Sequence, residues 1–390
     1  MASADAIHPL LAELTEIRHD IHAHPEIGFE EHRTAALVAG KLREWGLEVH
    51  EGIGGTGVVG VLRRGNGQAS IGLRCDMDAL AMPEATGLPY ASTNAGRMHG
   101  CGHDGHTTML LGAAGYLARS GGFNGCVNFI FQPAEEGRGG AMAMLKDGLF
   151  QRFPCDSVHG MHNKPGLPIG QFAIRAGAAM AGCAFFDLVI TGKGSHGARP
   201  EASVDSVVVA AHLTAALQSV VARNVPPTDI AVLSVTRIVA GDAYNVIPQT
   251  ATLSGTARAF RRETMGLIEA SMRRLATGIS AGFGATAELD FRFLFAPVVN
   301  DPAETAAMAD AAAVVAGEAA VDRRDALNNV SEDFSDLMEQ VPGAMIHIGN
   351  GASADLHQPS YDFDDEAIPY GVALWATLVE RKLPKGNAGP

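Results

Sequence analysis

The amino-acid sequence predicts an α/β protein whose mixed sheet carries helices on both faces, with a smaller α+β domain inserted into it. In the first half of the chain, short apolar runs alternate with segments of helical periodicity, which is typical of a largely parallel sheet covered on both faces. From Cys183 to Phe295 the predicted order becomes β-α-β-β-α-β, which is that of a ferredoxin-like unit. We therefore predict a larger domain formed by residues 1–178 and 296–390, interrupted by an inserted domain over 179–295.

Two helices are predicted at the start of the chain. In the first, apolar residues recur at helical spacing between Leu10 and Ile21; the second ends at Trp45, with Gly46 as a C-cap. The strands and the helix predicted to follow are VVGVL, ASIGLRC, the helix HTTMLLGAAGYLARS, CVNFIFQ and DSVHGMH.

The inserted domain and the tail are predicted in the same way. The inserted domain should contain strand CAFFDLVITG, helix SVDSVVVAAHLTAALQSVVA, strands AVLSVTRIVA and TATLSGTARAF, helix ETMGLIEASMRRLATGIS and strand ATAELDFRFLF. An alanine-rich helix is expected from Pro302 to Ala320, after which AMIHIGNG returns the chain to strand-and-loop character.

Composition excludes several classes of function. Of the 390 residues 47% are hydrophobic, which is too apolar for a disordered tail, and the net charge of −14 argues against nucleic acid or an anionic membrane as partner. The apolar run from Val204 to Val221 contains Asp205, His212 and Gln218, which favours a buried helix over a membrane span. Five scattered cysteines indicate no disulfide framework, and the N-terminus shows no export signal, so we expect a cytoplasmic protein.

A glycine-rich segment resembles a dinucleotide-binding motif. Residues 52–57, GIGGTG, fit the pattern G-x-G-x-x-G, but that site needs a helix directly after the motif to bind the pyrophosphate. The strand-like VVGVLRRG follows instead, so we interpret the glycines as a turn between strands.

Potential metal ligands cluster where predicted strands end, which is where open α/β sheets bind ligands. The segments concerned are Asp76-Met77-Asp78, the loop His99 to His106, Gln132 to Gly137, Met161 to Asn163 and the later loop Gly351 to His357. A thiolate, imidazoles and carboxylates together suit zinc or a similar divalent ion.

Within these segments particular residues suggest particular roles. Cys101 and His103 stand two apart in a glycine-bracketed loop, so both can face one centre, and one glutamate beside a ligand glutamate can remain free as a proton acceptor. Asp78 and Asp104 are candidates for orienting the ligand imidazoles. Taken singly, a cysteine is also typical of a small buried residue, and a Glu-Glu pair of a solvated surface.

Several longer segments then resemble one known family in order along nearly the whole chain. They are HPEIGFEE, RCDMDALAMPE, MHGCGHDGHTTMLLGAA, FQPAEEG, GKGSHGARP, NVIP, GTARAF and SEDFS. The chain is similar to the aminoacylase/carboxypeptidase metallopeptidases, and within them to hippurate hydrolases and auxin-amino-acid-conjugate hydrolases. This resemblance implies a zinc-peptidase-like catalytic domain with an inserted dimerisation (lid) domain.

The resemblance also implies a two-metal centre with Glu135 as general base and acid. In the wider family a His-x-Asp pair supplies one ligand, whereas this chain has Asp76-Met77-Asp78; Cys101 marks the hippurate-type subgroup and is expected to compensate. The ions are expected to be divalent, zinc first, with manganese, nickel and cobalt as alternatives. The implied ligands are Cys101, His103, Glu136, His162 and His357.

Three residues of the inserted domain receive roles from the same resemblance. His196 is expected to reach across the interface of a homodimer, or of a larger homo-oligomer, and polarise the scissile carbonyl, while Asn245 and Arg258 would hold the substrate carboxylate. A Ser195-His196 nucleophile is disfavoured because adjacent residues rarely face each other. The alternative for Arg258, less favoured than substrate binding, is a cation on the strand surface, and His106 is expected to pack or to orient a neighbour.

These observations lead to three hypotheses of function. The first is a metal-dependent amidohydrolase that splits an N-acyl amino acid into a carboxylic acid and a free amino acid. The second is a dipeptidase or carboxypeptidase with the same metal site. The third, of another class, is a metal- or substrate-binding protein without turnover, against which an intact Glu135 argues.

Overall fold

The computed structural model describes residues 7–385, which form two compact units. The main unit comprises residues 7–179, 299–326 and 333–385, and the inserted unit comprises residues 180–298 and 327–332. Residues 1–6, on which the expectation about export partly rests, lie outside the described part of the chain.

The main unit is built around an eight-stranded mixed sheet, which confirms the predicted fold class. Its strand order is β1-β2-β4-β3-β5-β16-β6-β15; β4, β3, β5 and β16 are parallel neighbours. Burial explains the apolar sequence of the central strands, since every residue of β4 is buried. The strands are β1 (Glu48–Ile53), β2 (Gly57–Arg64), β3 (Ser70–Asp76), β4 (Gly125–Gln132), β5 (Ser157–Lys164), β6 (Phe172–Ala173), β15 (Val321–Asp322) and β16 (Gly343–Gly349).

Eight helices accompany this sheet among the described residues. They are α1 (Leu11–Ala23), α2 (His32–Glu44), α3 (His103–Ser120), α4 (Gly140–Lys146), α5 (Leu149–Arg152), α8 (Pro302–Ala316), α9 (Phe334–Met338) and α10 (Ile368–Lys382). The expectation of strand-and-loop character for the whole tail was wrong, because α10 is a helix. It buries Val372, Trp375 and Val379, and packs on α3 and α8. These apolar residues follow helical spacing, a signal present in the sequence.

The inserted unit has the predicted β-α-β-β-α-β order and an antiparallel sheet in the order β10-β12-β8-β13. Its elements are β8 (Gly182–Thr191), β9 (Ser195–His196), α6 (Ser206–Asn224), β10 (Ala231–Ala240), β11 (Val246–Ile247), β12 (Thr250–Ala259), α7 (Arg262–Gly282) and β13 (Thr286–Phe295). Strands β7 (Gly177–Met180) and β14 (Val298–Asn300) occupy the two points at which the chain enters and leaves the unit.

The limits of the inserted unit differ slightly from those predicted. The unit ends at Val298, three residues later than predicted, and it includes the segment 327–332. That segment joins it because the backbone N–H of Ala181 donates a 3.0 Å hydrogen bond to the carbonyl oxygen of Asn328. A contact between residues so distant in sequence leaves no local signal.

Helix α6 is the one helix within residues 7–385 that is long and apolar enough to cross a membrane. Asp205 caps its N-terminus by accepting hydrogen bonds from the N–H groups of Val207 and Val208. Val209, Leu213 and Leu217 form its buried stripe, which is the pattern of a helix packed on a sheet.

The glycine-rich segment 52–57 is a turn between antiparallel strands, as predicted. Ile53 pairs with Gly57 at the closed end of β1 and β2, and no helix begins there. The segment therefore lacks the helix N-terminus that a dinucleotide site needs.

An ion cluster joins three elements of the main unit. The carboxylate of Glu304, on α8, accepts from Lys382 Nζ of α10 and lies 3.2 Å from His159 Nε2 of β5. Burial raises the pKa of Glu304, but hydrogen bonds from His159 and Lys382 outweigh it and bring the pKa from 4.5 to about 2. The ionised form therefore stabilises the folded state.

Replacing Glu304 by glutamine should lower the free energy of unfolding by about 1–2 kcal/mol at pH 7. The folded-state pKa lies below the unfolded value, so the stabilisation is present above about pH 4.5 and disappears as the pH falls toward about 2. Urea unfolding at pH 7 and about pH 3, inside the range where the stabilisation is being lost, measures this difference. Glu318→Gln, which removes an exposed ion pair with Arg323, is the matched control. An equal Glu304→Gln effect at both pH values would contradict the assignment.

Candidate metal centre

The candidate site lies where three adjacent parallel strands end. Strands β4, β3 and β5 are neighbours, and their carboxyl ends carry Gln132, Asp76 and His162 to one edge of the sheet. Helix α3 begins beside them at His103, after Gly102, whose φ is 87°. A Cβ on Gly102 would lie 2.5 Å from Tyr361 Oη and 2.6 Å from Asn163 Oδ1, so this turn requires glycine.

The structure brings all five predicted metal ligands together. They form overlapping groups whose ligand atoms lie within 4.8 Å of one another: Cys101 with His103 and His162, Cys101 with Glu136 and His357, and His103 with Glu135 and Glu136. Cys101 Sγ is 3.5 Å from His162 Nε2, and His357 Nε2 is 3.3 Å from Glu136 Oε1. Residues far apart in sequence thus share one small volume.

The chemistry of this cluster fits divalent cations. His103 Nε2 and Glu136 Oε1 are buried and accept or donate no hydrogen bond among the described residues. Buried polar atoms are nearly always satisfied, so two such atoms in one cluster point to a missing partner. Thiolate, imidazole and carboxylate are the donors that zinc and similar ions bind.

Hydrogen bonds from the other ring nitrogen orient the imidazoles of His103 and His162 toward the cluster of ligand atoms. His103 Nδ1 donates to the carbonyl oxygen of Asp78 at 2.8 Å, and His162 Nδ1 donates to that of Asn163 at 2.8 Å, which leaves both Nε2 atoms facing the cluster. The Asp78 carboxylate lies 3.3 Å from His103 Nδ1 and accepts from the N–H of Glu136 at 2.9 Å. Asp78 therefore orients two of the predicted ligands.

Asp104 has a different environment from the one predicted. Its carboxylate lies 2.8 Å from His22 Nδ1 and 3.4 Å from Arg18 Nη1, both on α1, and not against the imidazole of a predicted ligand. The pKa of Asp104 is held far below its usual range because His22 and Arg18 outweigh the effect of burial. Asp104 lies in the first turn of α3 and its carboxylate contacts α1, so it joins the two helices.

Asp76 and His106 form a separate buried pair next to the cluster. His106 Nδ1 lies 2.6 Å from Asp76 Oδ1, and His106 Nε2 accepts from the backbone N–H of Asn163 at 3.0 Å. Both ring nitrogens of His106 are thus engaged, and the ligand atoms of Asp76, His103 and His106 lie within 4.8 Å of one another. Asp76 Oδ2 lies 3.8 Å from His103 Nε2.

The protonation states of the cluster are strongly perturbed. Burial raises the pKa of the Cys101 thiol well above its usual value, and the charge of Glu136 raises it further. Burial lowers the pKa of His103, but Asp76 and Cys101 outweigh it and raise that pKa well above the ordinary value. Burial and the nearby His106 hold the pKa of His162 well below it. A cation must therefore displace protons from Cys101 and His103, so its affinity should rise with pH.

One residue that sequence reasoning missed supports the backbone beside Glu135. Ala134 has φ 55°, a left-handed conformation that is costly for alanine. The buried carboxylate of Glu31 accepts from the N–H of Ala134 at 2.8 Å and from the hydroxyl of Thr56. In the sequence, Glu31 is distinguished only as part of HPEIGFEE, one of the segments that resemble the known family.

The predicted substrate-binding residues of the inserted unit lie at opposite ends of its sheet. His196 and Asn245 are exposed and adjacent, since the N–H of Gly197 donates to the carbonyl of Asn245 at 2.7 Å. Arg258 pairs with Cys183 near the other end of β12, eight residues from Thr250, which corresponds to roughly 25 Å of strand. One copy of this unit cannot present Asn245 and Arg258 to the same carboxylate.

Comparison with known proteins gives concordant matches over nearly the whole chain. Residues 72–381 match peptidase family M20/M25/M40. A hippurate hydrolase from Campylobacter jejuni is 43% identical over 378 residues, covering 96% of this chain and 97% of the relative. IAA-amino acid hydrolase ILR1-like 4 from Arabidopsis thaliana is 36% identical, covering 94% and 85%. The Bacillus subtilis YxeP structure, a dinuclear metal-binding peptidase, is 33% identical with a TM-score of 0.85, covering 97% and 100%.

Removing one predicted ligand should weaken metal binding. Cys101→Ser should lower the affinity by more than the roughly 10- to 100-fold that loss of an orienting partner costs, because a ligand itself is removed. Bound metal is measured by elemental analysis after dialysis against a competing chelator. Cys155→Ser, at a cysteine outside the cluster, is the matched control. Equal metal content in wild type and Cys101→Ser would contradict the assignment.

Proposed function

The chain belongs to peptidase family M20/M25/M40, as its motifs led us to expect, and from this membership we propose that it hydrolyses the amide bond of N-acyl amino acids. The products are a carboxylic acid and a free amino acid. The observation that carries the proposal is the pair Glu135-Glu136 within a cluster of sulfur, nitrogen and oxygen donors. One glutamate can bind a cation while its neighbour moves a proton.

The relatives favour acyl amino acids over free peptides as substrates. Those named above are a hippurate hydrolase and an indoleacetic-acid conjugate hydrolase, both of which match nearly the full length of this chain. A dipeptidase or carboxypeptidase using the same centre is the second candidate, supported by the peptidase description of the family. A binding protein without turnover is the least supported, because Glu135 is intact beside the ligands.

We assign two divalent cations to the centre, zinc first, with manganese, nickel or cobalt as alternatives. The residues that would hold them are Cys101, His103, Glu136, His162 and His357, with Cys101 common to two of the ligand groups. When bound, such ions lower the pKa of a coordinated water and polarise the substrate carbonyl.

The chain's own groups then supply the proton transfers and the binding contacts. Glu135, buried beside Glu136, takes the proton of the attacking water and returns it to the nitrogen of the leaving amino acid. His196 donates a hydrogen bond to the oxygen on which negative charge develops. Asn245 and Arg258 hold the substrate carboxylate, which distinguishes an N-acyl amino acid from a simple amide.

The placement of these residues within the inserted unit supports a homodimer. Because Asn245 and Arg258 lie at opposite ends of one sheet, both reach one substrate only if they come from different subunits. The unit also has a surface suited to a second copy: β10 is an edge strand with Ile238 and Val239 exposed, and α6 exposes Val207 and Val208.

The proposed location is the cytoplasm. All five cysteines are free, and four of them are buried, which suits a reducing compartment. The acidic composition also agrees with a small-molecule substrate and with no nucleic-acid or membrane partner.

Glu135→Gln should retain the fold and the bound metal but lower kcat by roughly 10²-fold or more, because glutamine cannot accept the proton. The assay follows release of free amine from acetyl, benzoyl and indoleacetyl amino acids, beside a series of dipeptides, with chelator-treated enzyme as a blank. Glu16→Gln, on the exposed face of α1, is the matched control. Near-full activity of Glu135→Gln would remove Glu135 from the mechanism, and turnover of dipeptides alone would favour the second candidate.

Mixing two inactive variants should restore activity if His196 acts on the partner subunit. After subunit exchange, a dimer of one Glu135→Gln and one His196→Ala chain contains a single site with both native residues, so about a quarter of wild-type activity is expected on random mixing. Each variant exchanged with itself is the control. No recovery despite demonstrated exchange would place His196 in the site of its own subunit, or outside the mechanism.

A further inference from the structure

Asp333, in the segment SEDFS, is a buried carboxylate that no step above uses. It precedes helix α9 and has no exposed surface. Its Oδ1 accepts from Gln132 Nε2 at 2.7 Å and from Arg74 Nη2 at 3.1 Å, and its Oδ2 accepts from the backbone N–H of Ala141 at 3.0 Å. Three donors, from the end of β4, from β3 and from α4, therefore fix this one side chain.

The backbone of Asp333 faces Glu135. Its N–H donates to Glu135 Oε1 at 3.4 Å, which is longer than the roughly 2.7–3.2 Å usual for such a hydrogen bond. Catalytic hydrogen bonds are often this long in the absence of substrate. Hydrogen bonds to its carboxylate thus hold Asp333 in place, while its backbone N–H contacts Glu135, the proposed general base. A glutamate has three rotatable bonds, so a hydrogen bond to one carboxylate oxygen restricts the directions that the other oxygen can take.

Arg74 connects this anchor with the metal side of the site. Its Nη1 donates to Asp76 Oδ2 at 2.8 Å, and its Nε donates to Gln132 Oε1 at 2.8 Å. Arg74 is 1% exposed, so its charge compensates two buried carboxylates that would otherwise be costly to ionise. Arg74 thus links the carboxylates of Asp76 and Asp333 on the two sides of the site.

We infer that Asp333 is a positioning residue for Glu135, acting through its anchored backbone N–H. The inference rests on the proposed function, because it assigns Asp333 a purpose in the proton transfers of Glu135. A positioning role of Asp333 differs from a purely structural role in one measurable respect. A residue that acts through Glu135 loses its influence on the rate when Glu135 no longer accepts the proton, whereas a residue that merely supports the fold does not.

The test is a double-mutant cycle between Asp333→Asn and Glu135→Gln in the metal-loaded enzyme. Asparagine has an NH2 group in place of one carboxylate oxygen. This group would face the hydrogen-bond donors that now contact Asp333, so the substitution should weaken those contacts with little change of volume. In the wild-type background we expect kcat to fall roughly tenfold, with KM within about twofold and metal content unchanged. In the Glu135→Gln background we expect less than about a twofold further loss. Asp322→Asn, at an exposed aspartate, is the matched control.

Three results would overturn the inference: an unchanged kcat, an equal loss in both backgrounds, or a fall in metal content. If Asp333→Asn does not fold, Gln132→Met replaces it, since it removes one donor to Asp333 and no charge. Hydrogen exchange gives a readout without turnover: the amide of Asp333 should exchange faster in Glu135→Ala, which lacks the acceptor. Wild-type release of amine from hippurate in the same assay tests the proposed function separately, so the two failures are distinguishable.

Discussion

The site depends on one constraint: ionisable groups from several strand ends are buried together and must compensate one another. Parallel strands β4, β3 and β5 end at the same edge of the sheet, so the polar residues that follow them meet there. Isolated buried charges would be prohibitively costly, and each one here has a partner or faces the cluster of ligand atoms. Arg74 lies between Asp76 and Asp333, and Asp78 contacts both His103 and the backbone of Glu136.

The turn that carries Glu135 illustrates this constraint, because contacts from several segments of the chain hold it in place. Ala134 is in a left-handed conformation that alanine adopts only when its surroundings impose it. Glu31 binds its N–H, Asp78 binds the N–H of Glu136, and Asp333 donates its own N–H to Glu135. Contacts from three separate segments thus brace three consecutive residues. Such support fixes the directions of both glutamates relative to the cluster of ligand atoms.

The inserted unit carries three of the predicted site residues. Its antiparallel sheet separates His196 and Asn245 from Arg258 by most of the length of a strand. Strand pairing holds the two ends of such a sheet at a fixed separation, so the two groups of residues cannot approach each other within one copy. The edge strand β10 and helix α6 of the same unit expose apolar side chains.

The sequence alone predicted the fold class and most of the order of strands and helices along the chain, because these follow from periodicity. It predicted the turn at residues 52–57 from the strand-like residues that follow it, and the ligand cluster of Cys101, His103 and Glu136 from the resemblance of its motifs to a known family. Only the tertiary structure decided that Asp104 faces α1, that Asn245 and Arg258 lie apart, and that Glu31 and Asp333 support Glu135. Those contacts join residues up to about two hundred positions apart, and no local pattern specifies which buried partner such a side chain will meet.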